Sequence, residues 1–223
     1  GLSSSAALEV SAAYAVLKIL NVTLDKKEIA RLCQTAEHQF AGSKCGLLDQ
    51  FSSIFGLGHG LIHSDFRTLE VTSVVLPEDV EFLVINPHVK HSLAASPYNE
   101  RRERCEQAAA QLAKLLPHPV TALRDVSPAE FAANRSRIEA GAARRAAHVV
   151  GEIDRVERGM ESIRQGDLKA FGQLLFESHQ SSVENFENSC PELDLVVAAA
   201  RCRAQGVTPE FIAVTPAAGA ETA

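Results

Sequence analysis

A chain of 223 residues with 46% hydrophobic side chains has core enough for one large domain or two small ones. Its formal net charge of −6, without any long run of Lys or Arg, argues against nucleic acid or an anionic membrane as the main partner. No uninterrupted apolar run approaches bilayer-spanning length, and no basic segment leads into an apolar one at the start, so neither a membrane span nor an export signal is expected.

Gly1-Leu2-Ser3-Ser4-Ser5-Ala6-Ala7 is a loop of small residues running into a helical pattern over residues 6–20, where Leu8, Val10, Tyr14, Val16, Leu17 and Leu20 recur at helical spacing. Such a junction has two readings. Successive backbone N–H groups, the positive end of the helix and the hydroxyls can cradle a phosphate, or the serines simply cap an ordinary helix. Asp25 and Glu28 form a capping-box pattern before a second helix. Ile29, Leu32, Cys33, Ala36 and Phe40 supply its apolar face, which places Glu37 near its C-terminal end. Ala41-Gly42-Ser43 breaks that helix, and a short third one is expected from Cys45 to about Gly56.

Residues 61–66, 69–76 and 80–85 are short apolar or β-branched runs separated by polar turns, and read as a three-strand antiparallel stretch. From Pro97 onward the pattern is helical, over residues 97–116, 128–134, 137–165, 168–185 and 191–205. Gly141, Gly151 and Gly159 allow a break within the longest of these. Arg101-Arg102-Glu103-Arg104 reads as a solvated helix face. The last segment starts as a strand at Phe211-Ile212-Ala213-Val214 and ends as a frayed or artificial terminus.

Cys33, Cys45, Cys105, Cys190 and Cys202 are an odd, scattered set with no C-x-x-C pair, so no zinc site or disulfide framework is indicated and a reducing cytoplasm is expected. A Walker loop, a zincin helix and a G-x-S-x-G elbow are all absent. What remains is Ser5 at a helix N-terminus, Glu37 on the second helix and Asp49 opening the third. Phosphoryl transfer from ATP needs a cradle for the anion, a hard cation on oxygen ligands and a carboxylate near the attacking hydroxyl, and these residues can supply one each. Singly, each carboxylate also fits an exposed or capping role.

The blocks Gly1-Leu-Ser-Ser-Ser-Ala-Ala-Leu-Glu-Val10, Ala36-Glu-His-Gln-Phe-Ala-Gly42, Lys44-Cys-Gly-Leu-Leu-Asp-Gln-Phe51 and residues 89–102 resemble the galactokinases, sugar kinases of the GHMP superfamily. The resemblance continues through His148-Val-Val-x-Glu152, residues 166–172, Glu177-Ser-His179 and residues 189–194, to about Gly206. It implies an α+β, two-domain fold. A partial N-terminal domain resembling ribosomal protein S5 domain 2 would occupy residues 1–94, and a helix-rich, ferredoxin-like C-terminal domain residues 95–223. It also implies that Gly1, Leu2, Ser3, Ser4 and Ser5 bind ATP, that Ser5 and Glu37 hold Mg²⁺, that Asp49 is catalytic, and that Gly46, Asp49 and Tyr98 contact galactose. The implied reaction is phosphorylation of α-D-galactose at its C1 hydroxyl. A sugar-and-ATP sensor without turnover, or a kinase for another sugar such as N-acetylgalactosamine, would use the same residues.

The family's first motif, an Arg and a Glu-His-x-Asp cluster, is missing, and its C-terminal Gly-rich motif is not recognisable in residues 214–220. Together with the lack of an initiator Met, this points to an internal fragment, inactive or very weak alone.

Overall fold

The computed structural model describes residues 3–78, 80, 82–87, 89, 98–202 and 210–214. The chain divides into two compact units. The first contains helices α1 (Ser4–Ile19), α2 (Lys26–Ala36) and α3 (Leu48–Phe55), and strands β1 (Gly60–Asp65), β2 (Glu70–Val75), β3 (Phe82–Asn86) and β4 (Glu210–Val214). The second contains α4 (Tyr98–Leu112), α5 (Pro128–Asn134), α6 (Ala140–Arg164), α7 (Leu168–Ser181) and α8 (Pro191–Cys202).

In the first unit, Val10, Ile29, Cys33, Phe51 and Ile54 form the core between α1, α2 and α3. Phe51 is fully buried, its ring 5.1 Å from that of Phe55 and 5.6 Å from that of Phe66. α1 buries only one side: Ala6 and Val10 are inside, whereas Leu8, Val16 and Leu20 are exposed. α2 starts as its capping box predicts, with the Asp25 side chain accepting from the Lys27 N–H at 2.8 Å and Glu28 accepting from the Asp25 N–H at 3.2 Å.

The end of α2 departs from the expected regular helix. A π-helical turn, Glu37–Ala41, follows it and closes at Gly42, whose φ of 68° is the left-handed conformation glycine adopts without a Cβ clash. The wider turn rotates the apolar stripe out of phase. Phe40, expected on the inner face, is 88% exposed, while Glu37 is buried. Leu32, also expected inside, is exposed as well. α3 starts at Leu48 rather than Cys45, because the Cys45 carbonyl accepts from Gln34 Nε2 at 3.1 Å and bonds to His38 Nε2 at 2.8 Å.

The expected three-strand stretch is two separate antiparallel pairs. β1 pairs with β2 in a hairpin from Gly60↔Val75 to Asp65↔Glu70, and its turn is pinned by Asp65 Oδ1 accepting from the N–H groups of Arg67 and Thr68. β3 pairs instead with β4, in the register Phe82↔Val214 to Asn86↔Glu210. The strand expected to fray at the end of the chain therefore completes a sheet of the first unit, rather than belonging with the helices that precede it. Strand pairing is a long-range choice that a local alternation pattern does not encode.

In the second unit, Ala108, Ala109, Leu112, Leu123, Phe131, Ala142 and Ala146 form the core around α4 and α6. α6 runs unbroken through its glycines. At Gly159 a Cβ would stand 3.3 Å from the Phe171 ring, so the missing side chain is what lets α7 pack closely. Carboxylates here are held by donors. Glu130 is drawn down to about 2 by the Ser127 N–H and hydroxyl and by His118, and Glu139 and Glu187 also lie below the usual carboxylate range, through backbone N–H groups and through Arg145 respectively. Burial lowers His148, against the opposing pull of Glu152.

Both effects act in one direction on acidification. A His held neutral costs stability once the pH falls below its ordinary 6.5. Carboxylates with depressed values contribute stability above 4.5 that is lost as the pH falls toward 2. His118, raised by Glu130, works the other way in the His range, so the readout there is a difference: the Tm of His148→Gln should gain on that of the unaltered protein as the pH falls below 6.5, and a constant gap would contradict the His148 assignment. Both proteins should then lose Tm through the carboxylate range.

Candidate active site

The first turns of α1 and α3 and the end of α2 meet in the first unit. Ser3, the residue before α1, has left-handed backbone angles (φ 48°, ψ 37°) and its hydroxyl makes no cap bond. It donates instead to Asp49 Oδ1 at 2.7 Å. The simple capping alternative therefore does not describe this serine. The first amides of α1 have no intrahelical acceptors, the first turn carries no acidic residue, and the helix dipole makes this end positive.

Two residues on, Ser5 donates to Glu37 Oε1 at 3.0 Å. The other Glu37 oxygen accepts from Gln50 Nε2 at 3.0 Å and from the Cys45 thiol at 3.5 Å. Ser3 before α1 and Ser5 in its first turn thus engage two different carboxylates, Asp49 in α3 and Glu37 in the π turn that follows α2. Glu37 is only 8% exposed: it follows Ile29 and Cys33 at four-residue steps and so continues the buried stripe of α2. Asp49, in contrast, is exposed in the first turn of α3, where the dipole favours a negative charge.

Sequence reasoning missed the residues that tie these groups together. Gln50, fully buried, also donates to Glu9 Oε2 at 3.4 Å, so one amide spans two carboxylates. Burial raises the Glu9 carboxyl, Gln50 opposes the rise, and Glu37 adds to it. Cys45 is pushed up to about 11 by burial and by Glu37, which keeps it a thiol that donates rather than a nucleophile. The available signals were Glu9 lying one helical turn after Ser5 and Gln50 adjoining Asp49.

Ser3, Ser5, Glu37 and Asp49 are therefore brought together, and Ser4 opens α1 between the two serines. Gly1 and Leu2 lie outside the described residues. Gly46 follows Cys45 in the loop before α3, with nothing within 4 Å of where its Cβ would stand. Tyr98 belongs to the other unit, where it opens α4 and is 43% exposed. Among the described residues there is no cluster of three or more His, Cys, Asp or Glu side chains able to hold a metal, and no helix is long and apolar enough to cross a membrane.

Residues 1–57 match the family model for the GHMP kinases N terminal domain. The chain is 45% identical over 205 residues to a galactokinase of Homo sapiens, covering 90% of this chain and 50% of that protein. A galactokinase of Roseiflexus sp. (strain RS-1) is 38% identical over 201 residues, with 90% and 51% covered. Among solved structures, Lactococcus lactis galactokinase complexed with galactose superposes with a TM-score of 0.84 at 28% identity, over 96% of this chain and 57% of that one. The chain spans about half the length of the curated relatives it matches.

Proposed function

We propose that this chain, whose residues 1–57 match the GHMP kinases N terminal domain and which is similar to galactokinases over nine-tenths of its length, is part of a GHMP kinase, and that the full-length protein transfers the γ-phosphoryl group of ATP to the C1 hydroxyl of α-D-galactose. The observation that carries this reading is the pairing of Ser3 with Asp49 and of Ser5 with Glu37 at the open N-terminus of α1. These bonds set the first turn of α1 beside two carboxylates, Glu37 buried and Asp49 exposed.

In this reading, the backbone amides of residues 1–5 hold the phosphate oxygens. Asp49 uses Oδ1 to accept from Ser3, and its other oxygen accepts the C1 hydroxyl of the sugar. As the sugar oxygen bonds to the γ-phosphorus, the bridging P–O bond to the β-phosphate breaks, ADP leaves, and Asp49 takes the hydroxyl proton. Gly46 leaves room for the sugar beside Asp49.

The Ser5 hydroxyl and the Glu37 carboxylate suit Mg²⁺: both are hard oxygen donors, 3.0 Å apart, with Glu37 shielded from solvent. Two protein ligands are enough for an ion that keeps several waters and takes its other oxygens from a nucleotide. When bound, Mg²⁺ supplies neutralisation of the phosphate charge.

The test is ADP release by the full-length protein with galactose, N-acetylgalactosamine and other hexoses offered in turn. Galactose-dependent ADP is the expected result. Turnover only with another sugar would replace galactose, and binding of sugar and ATP without ADP would replace the kinase with a sensor.

A further inference from the structure

One amide joins side chains from three helical segments of the first unit. Gln50, fully buried on α3, donates from Nε2 to Glu37 Oε2 at 3.0 Å and to Glu9 Oε2, on α1, at 3.4 Å. Its own Oε1 is buried without a hydrogen-bond partner among the described residues. Buried polar atoms are normally paired, so this orphan marks a side chain placed for what its NH₂ holds. The reverse orientation would set Oε1 against two carboxylates, which only accept when ionised.

The consequence falls on Glu37. Its Oε2 accepts from Gln50 and, at 3.5 Å, from the Cys45 thiol. The loop that carries this thiol is itself pinned, because the Cys45 carbonyl accepts from Gln34 Nε2 at 3.1 Å. Gln50 is buried and Cys45 partly so, whereas Ser5, the donor to Oε1, is exposed at the start of α1. The carboxylate is therefore held with Oε2 committed inward and Oε1 alone toward the open end of the helix. One oxygen from a fixed carboxylate suits Mg²⁺, which demands near-octahedral geometry and keeps several waters. Ca²⁺ gathers about six to eight oxygens at longer distances and also takes a carboxylate through both, which here would need Oε2 released.

We propose that Gln50, assisted by Cys45, is a positioning residue that sets the cation preference of this site: by holding Oε2 it makes Glu37 a one-oxygen ligand and favours Mg²⁺ over Ca²⁺. This rests on the reading that Ser5 and Glu37 hold the metal. Gln50 touches neither the ion nor a substrate in this scheme, so its effect passes through Glu37.

The experiment is equilibrium dialysis of labelled ADP against the full-length protein as Mg²⁺ or Ca²⁺ is raised, reading the cation concentration that half-completes binding. The affinities of the two ions for free ADP are common to every variant and drop out of the Ca²⁺/Mg²⁺ ratio of midpoints. Gln50→Met, which keeps the length of the side chain and removes its amide, should raise the Mg²⁺ midpoint about ten- to a hundredfold, the usual cost of losing a partner that orients a metal ligand. The Ca²⁺ midpoint should rise far less, so the ratio narrows. Cys45→Ala should narrow it in the same direction by a smaller factor, and it carries the test should Gln50→Met fail to fold. Midpoints that rise by the same factor for both ions would overturn the proposal as mere structural support. If Glu37→Gln raises the Mg²⁺ midpoint but Gln50→Met and Cys45→Ala do not, the positioning role alone falls. If Glu37→Gln leaves that midpoint unchanged, the metal reading falls and this proposal with it.

Discussion

Asp49→Ala in the full-length protein should slow galactose-dependent ADP release by about 10²- to 10⁴-fold, the range expected when a positioned proton acceptor is lost. Asp49 is exposed on the first turn of α3 with one oxygen already committed to Ser3, so its geometry is set before any sugar arrives. Asp49→Asn separates the two contributions of the carboxylate. An amide oxygen can still accept from Ser3, but the side chain can neither take a proton nor supply negative charge. The Asn variant should therefore keep its Tm while losing turnover, with a rise in galactose KM because an NH₂ replaces the oxygen that accepts the C1 hydroxyl. If it turned over as fast as the unaltered protein, Asp49 would have no part in proton transfer.

Glu37→Gln should lower turnover about a hundredfold, comparable to removing one preorganised electrostatic group from an active site. Its readout differs from that of Asp49. The galactose KM should hold, the dependence on Mg²⁺ concentration should move to higher values, and excess Mg²⁺ should restore part of the rate. Glu37 is buried among hydrogen-bond donors. Ser5 can still donate to an amide oxygen, but the new NH₂ faces Gln50 Nε2, so some loss of stability should accompany the substitution. A denaturation midpoint measured alongside the rate separates the two causes. A Mg²⁺ dependence identical to that of the unaltered protein would remove Glu37 from the metal site.

Much of this was legible before any coordinates. The small-residue loop, the Asp25/Glu28 capping box and the apolar periodicities place α1, α2, α5 and α7 within a few residues of where they lie, because capping and helical periodicity are local physics. Ser5, Glu37 and Asp49 were identifiable as chemistry-bearing residues by type, and the blocks around them by their resemblance to a kinase family. The periodic stripe misled at Phe40 and Leu32, since a single π turn shifts the phase of every residue beyond it and one face of a helix is buried only where another element covers it.

By itself, then, the sequence determined the helices, a resemblance to a kinase family and the residue types suited to phosphoryl transfer. The tertiary structure decided which of them meet. Ser3 turns to Asp49 instead of capping its own helix, Gln50 bridges Glu9 and Glu37, β3 takes β4 from the far end of the chain, and Arg101 leaves the solvent for the Glu187 carbonyl. Each is a contact between residues distant in sequence. Such partners are brought within reach only when the helices and strands that carry them pack, a condition that no local pattern of residues encodes.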